Sequence, residues 1–152
     1  MLFMTVRTLH ILAGIWFTCG VAAYLLTRLT MLKTDDARSV RALVGLTGQF
    51  RNFMIRPGSI LLLVFGLWTA WYESWPRFAV HAIALLVILV PFIVLTIKGG
   101  GRIEAASAEA VQAGSVTPAL SAALRDRKTV VGEMGIGIIT LLFLLLMIIK
   151  PS

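Results

Sequence analysis

The run from Leu9 to Leu26, LHILAGIWFTCGVAAYLL, constrains this chain more than any other feature. Its eighteen residues include no Asp, Glu, Lys or Arg. As a helix such a run reaches about 27 Å, close to the hydrocarbon thickness of a bilayer. Inside lipid every backbone N–H and C=O must find a partner within the protein, which leaves helices or closed barrels. A barrel strand is a segment of about ten residues alternating apolar and polar. This run is continuously apolar, so it is read as a helix.

Three more runs repeat the pattern. Spanning helices are expected at about 6–26, 59–75, 78–97 and 130–149, each near the length a crossing requires. The chain is 59% hydrophobic and 14% charged, whereas a soluble domain carries about a quarter charged residues. The expectation is all-α: a four-helix transmembrane bundle forming one integral membrane domain over residues 1–152.

Charge orients the helices. Eleven of the fourteen Lys and Arg residues lie in segments 27–58 and 98–129, and the other three are Arg7, Arg77 and Lys150. The positive-inside rule puts both long segments in the cytoplasm and both termini outside. The net charge of +7 is then loop charge, and no motif for nucleic acid accompanies it. Trp68, Trp71 and Trp75 fall at the outer end of the second span, where an aromatic belt belongs. Only Arg7 precedes the first run and no small-x-small site follows, so the run reads as a retained helix rather than a signal peptide. Cys19 is the only cysteine, which excludes an internal disulfide.

The two long segments carry helical signals. Thr34-Asp35-Asp36 is a helix start, and Val40, Leu43, Val44, Thr47, Phe50 and Met54 follow at helical spacing. This is an interfacial helix or an extension of a spanning one, expected to end at Pro57-Gly58. Lys98-Gly99-Gly100-Gly101-Arg102 is expected to be a turn closing the third span. Pro118 opens a helix that leads into the fourth. The two halves share one outline, suggesting a parallel two-helix repeat about an axis along the membrane normal.

The chemistry-bearing candidates are the two histidines. His10 and His81 each lie just inside the outer end of a span, on helices that run in the same direction. An ionisable side chain at such depth is a functional candidate by default. Two imidazoles at one depth suit axial ligation of a heme iron. Arg7 stands three residues before His10 and Arg77 four before His81, on the same helix face and nearer the outside. Their guanidinium groups are placed to meet heme propionates. The site reading is therefore heme b, with His10 and His81 on the iron and Arg7 and Arg77 at the propionates. Gly14 and Ala13 leave room beside His10 for a flat ring. No catalytic residue is assigned. Against this stands the plain reading, in which both histidines bond to backbone or headgroups and both arginines snorkel. Glu133, an acid near the cytoplasmic start of the fourth span, is expected to pair with Arg28, Arg56 or Lys98. Met1, Met4 and His10 would be the donors of a copper site.

Leu9-His10-Ile11, Trp16-Phe17 and Gly20, with Arg56-Pro57-Gly58 before the second span, resemble small bacterial four-helix membrane proteins. These are the HemJ-type protoporphyrinogen oxidases, the CopD-type copper-resistance membrane domains and a related family of integral membrane proteins without an assigned activity. The resemblance implies a multi-pass protein of the bacterial cytoplasmic (inner) membrane. It also implies heme binding, with electron transfer or porphyrin oxidation as the activity of a HemJ-like oxidoreductase. The lysine that the HemJ-type oxidases carry after a tryptophan in the third span is absent here, where Trp75 is followed by Pro76-Arg77-Phe78-Ala79-Val80-His81. Two other functions fit the same layout: a cofactor-free accessory or scaffold subunit of a larger membrane complex, and a copper-handling membrane protein. The expected partners are the lipid bilayer and a homo-oligomer or larger complex, with no nucleic acid.

Overall fold

A computed structural model describes residues 2–72 and 77–149. It is helical throughout, and no strand occurs among the described residues. Helix α1 covers Leu2–Met31 and α2 Ala37–Phe50; a π-helical turn, Arg51–Ile55, leads into α3, Arg56–Tyr72. Helix α4 covers Arg77–Ala113, α5 Pro118–Leu124 and α6 Arg127–Ile149. Four helical stretches are long and apolar enough to cross a membrane, the all-α four-helix arrangement expected for a multi-pass membrane protein.

The caps follow from short polar side chains. Asp36 Oδ2 accepts from the Ser39 N–H at 2.8 Å and from its hydroxyl at 2.6 Å, which starts α2. Thr117 accepts from the Leu120 N–H at 3.2 Å to start α5, with Pro118 in the first turn. Asp126 does the same for α6, accepting from the Thr129 N–H and hydroxyl at 3.0 and 2.7 Å. Gly114, at φ 73°, lies just beyond the end of α4 in the left-handed region that glycine tolerates. Within the spans, the hydroxyls of Thr18, Thr96 and Thr140 each donate to the carbonyl four residues back, so these three are not left bare to lipid.

Two boundaries differ from expectation, each for a packing reason. Pro57-Gly58 does not end the helix; the chain is helical from Ala37 to Tyr72, with the π-turn just before Pro57. Gly58 lies against the Phe17 backbone, where a Cβ would come within 3.1 Å of Phe17 Cα. Lys98 to Arg102 is not a turn either, and α4 runs through it. Gly99 faces Thr129 so closely that a Cβ would overlap the threonine side chain. These glycines serve close approach of helices rather than chain reversal.

Helices α1 and α3 pack antiparallel as one hairpin, and α4 and α6 as another. Gly20 meets Met54 and Ile55, Phe17 meets Gly58, and His10 meets Gly66. In the second hairpin Gly135 lies under the Phe92 ring and Gly132 against Leu95 and Thr96. The first unit comprises α1, α2 and α3, and the second α4, α5 and α6. The hairpins join through α1 against α6 and α2 against α4. Among the described residues, α3 and α4 share no extended interface.

The main apolar core lies at the basic end, beyond the apolar runs. Met31, Ala37, Val40, Ile103, Ala106, Ala110, Leu120 and Leu124 form it, drawn from α1, α2, the extension of α4 and α5. Full burial of a side chain the size of Met31, Val40 or Leu120 stabilises by on the order of 1.5–3 kcal/mol. The hydrophobic effect thus organises the basic end, while close helix packing organises the spans.

Candidate functional site

His10 sits on the face of α1 turned toward α3. Its ring lies over Gly66, where a Cβ would stand 3.0 Å from His10 Cε1, and beside the Leu62 carbonyl one turn away. The absence of a side chain at Gly66 makes the space that the imidazole fills. His10 Nδ1 is buried and has no hydrogen-bond partner. Arg7, one turn nearer the end of α1, is half-buried.

His81 lies elsewhere. It is exposed on the first turns of α4, a helix that packs on α6 and α2 rather than on α1. His10 thus packs on α3, while the helix that carries His81 packs chiefly on α6 and α2. Ala13 and Gly14, expected to leave room beside His10 for a flat ring, are buried. The Arg77 side chain, Trp75 and Met1 lie outside the described residues, while Met4 is exposed. Among the described residues, no three His, Cys, Asp or Glu side chains converge on a point that could hold a metal ion.

The buried polar cluster is at the other end of the spans. Arg28 Nε donates to Glu133 Oε1 at 2.6 Å, and the Tyr24 hydroxyl donates to the same oxygen at 3.1 Å. Arg28 Nη2 continues to the Leu124 carbonyl at 3.3 Å. Arg28 and Glu133 are 4% and 6% exposed, so this pair is shut off from solvent. It ties α1 to α5 and α6. Of the three cations expected to meet Glu133, the structure selects Arg28. The neighbouring glycines allow the approach: Gly132 lets α4 close on α6, and Gly137 receives Leu25. A buried pair with its hydrogen bonds filled is costly to break, because the survivor would be an unpaired charge in a low dielectric.

A second polar contact joins α1 to the π-turn. Trp16 Nε1 donates to the Phe53 carbonyl at 3.2 Å. Phe53 is inside the π-turn, whose last bond runs from the Arg56 N–H to the Arg51 carbonyl, five residues back. Sequence reasoning did not find this contact. The signal was there in a tryptophan halfway down an apolar run and a proline inside a helical pattern.

Comparison with known proteins finds no matching family model, no matching curated protein and no matching solved structure.

Proposed function

We propose that this chain is a cofactor-free accessory or scaffold subunit of a larger membrane complex, set in the bacterial cytoplasmic membrane with its basic end in the cytoplasm. The observation that carries this reading is the Arg28–Glu133 pair. The Glu133 carboxylate is engaged by Arg28 in joining two hairpins, which is a structural use of a buried charge. The edge helices support it. Val80, Ile83, Val87, Val90 and Val94 on α4 present an exposed apolar face at spacings of three and four, a face suited to lipid or to further spanning helices. Native mass spectrometry of the chain extracted from its own membranes in mild detergent tests the reading. A defined heteromeric mass is expected, and the 16.6 kDa chain alone or only multiples of it would contradict it.

The second reading is a heme b protein of electron transfer or porphyrin oxidation, with His10 and His81 on the iron and Arg7 and Arg77 at the propionates. The observation in its favour is the buried, unpartnered His10 Nδ1. It requires α4 to approach α1, because His10 as placed faces α3. A Soret band lost in both His10→Ala and His81→Ala supports this reading. A colourless, well-folded protein after expression with excess heme ends it.

A further inference from the structure

Between α1, the α2–α3 rod and α4 lies a cavity of about 330 Å³. It opens at the basic end, level with the ends of the apolar runs. Three arginines line it, Arg28, Arg41 and Arg51, with Gln49, Asn52 and Thr47 beside them. Arg28 is already neutralised by Glu133. Arg41 Nη1 donates to the Glu104 carbonyl and the Ser107 hydroxyl at 3.2 and 3.1 Å, neutral acceptors that leave its charge uncompensated. Arg51 has no carboxylate in ion-pair range among the described residues, and its Nε is buried with no partner. Glu104 is the carboxylate on the lining, and it is exposed at the rim. The cavity therefore carries two uncompensated guanidinium groups and one orphaned donor.

Glycines keep it open. Gly45, Gly48 and Gly100 all line it. A Cβ at Gly45 or Gly48 would meet nothing within 4 Å, and one at Gly100 would stand 4.0 Å from Arg51 Nη1. Glycine inside a helix is unfavourable relative to alanine, and here no close packing accounts for Gly45 or Gly48. Arginine forks match phosphate oxygens, and basic pockets between spanning helices on the cytoplasmic side are sites for anionic headgroups.

We propose that this cavity binds a phosphate-class anion, held by Arg51 and Arg41 and presented by the headgroup of an anionic phospholipid. The level of the cavity selects a lipid over a solute. Arg51 and Asn52 begin the π-turn, where the helical rod passes from its polar to its apolar half, the level at which headgroups are expected. The inference is independent of the subunit reading above.

The test is native mass spectrometry of the full chain released from nanodiscs of mixed phosphatidylglycerol and phosphatidylcholine. The wild-type chain is expected to retain phosphatidylglycerol at least about tenfold over phosphatidylcholine. Arg51→Gln is expected to remove that preference. Gly48→Leu fills the cavity while leaving every charge in place, and it is expected to remove the preference too. It also carries the test if Arg51→Gln fails to fold. Lys33→Gln, an exposed cation at the same end, is expected to behave as wild type. Equal retention of both lipids by the wild-type chain overturns the proposal, as does full preference in a folded Gly48→Leu variant. Thermal stabilisation by inorganic phosphate, lost in Arg51→Gln and unaccompanied by lipid preference, overturns the lipid source in favour of a soluble anion.

Discussion

Trp16 Nε1 donates to the carbonyl oxygen of Phe53, and Phe53 stands four residues before Pro57. Proline has no N–H, so the oxygen it would have met in an α-helix is left without its helical donor. Lipid offers no replacement. An indole from the neighbouring helix supplies one, and the helical rod from α2 into α3 passes through its proline unbroken. Trp16→Phe removes the donor and keeps most of the apolar surface. It is expected to cost about 1 kcal/mol, the usual size of an interhelical hydrogen bond in a membrane. Pro57→Ala restores an N–H that can reach Phe53, so Trp16→Phe is expected to cost less in that background. A double-mutant cycle by reversible unfolding in mixed micelles checks this, and equal costs in the two backgrounds would show that the residues act independently.

The Arg28–Glu133 pair makes a sharper demand. Arg28→Met or Glu133→Leu alone leaves a buried unpaired charge, at a cost of about 3–5 kcal/mol. The double variant Arg28→Met/Glu133→Leu removes both charges and is expected to recover most of that loss. Tyr24→Phe leaves the pair intact and is expected to cost only about 1 kcal/mol. Midpoints of thermal or denaturant unfolding rank the four variants. A double variant as unstable as the two single losses summed would mean that the two residues act independently and would contradict the pairing.

Glycine packing gives a third prediction. A Cβ on Gly135 would overlap the edge of the Phe92 ring, and both residues are on spanning helices that cannot easily part. Gly135→Ala is expected to destabilise by about 1–3 kcal/mol through overpacking, although alanine favours helix elsewhere. Gly45→Ala, where a Cβ meets nothing, is expected to be neutral or stabilising. The comparison separates close approach from helix propensity in the same unfolding assay.

The start of α2 is sensitive to pH. The hydroxyl and backbone N–H of Ser39 hold the Asp36 carboxyl below the ordinary carboxylate range. Because the folded value is depressed, its contribution is present above the unfolded value of about 3.9 and is lost as pH falls through the folded value. Hydrogen exchange is therefore expected to quicken in the first turn of α2 below about pH 4, and Asp36→Ala is expected to show the faster exchange already at neutral pH. Unchanged exchange in Asp36→Ala would remove the cap from the account.

Much of this architecture is written in local pattern. Long uncharged runs announce the spans, Asp36 and Pro118 announce the helix starts, and a lone Glu133 among apolar residues calls for a cation. What local pattern cannot say is which faces meet. His10 and His81 share depth and direction, and both have arginines on their outer side, but depth along a helix says nothing of rotation about it. Gly66 decides the matter for His10 by opening a space on α3. Gly99 and Pro57 mislead for a related reason, since each is a breaker in isolation and tolerated once a neighbouring helix fits against it. The arginine-lined cavity was hidden for the same cause. Arg41, Gly45, Gly48 and Asn52 share one face of the rod, but that face becomes a cavity only when α1 and α4 close over it.

The central claim is that His10 is packed within the α1–α3 hairpin and not across from His81. Cysteine cross-linking in a Cys19→Ser background tests it most directly, since a disulfide needs Cα atoms within about 7 Å. Phe17→Cys/Gly58→Cys is the reference pair, because a Cβ at Gly58 would lie 3.0 Å from Phe17 Cβ. Under mild oxidation in native membranes the account predicts rapid intramolecular cross-linking of that pair and none for His10→Cys/His81→Cys. Efficient cross-linking of positions 10 and 81 would contradict it.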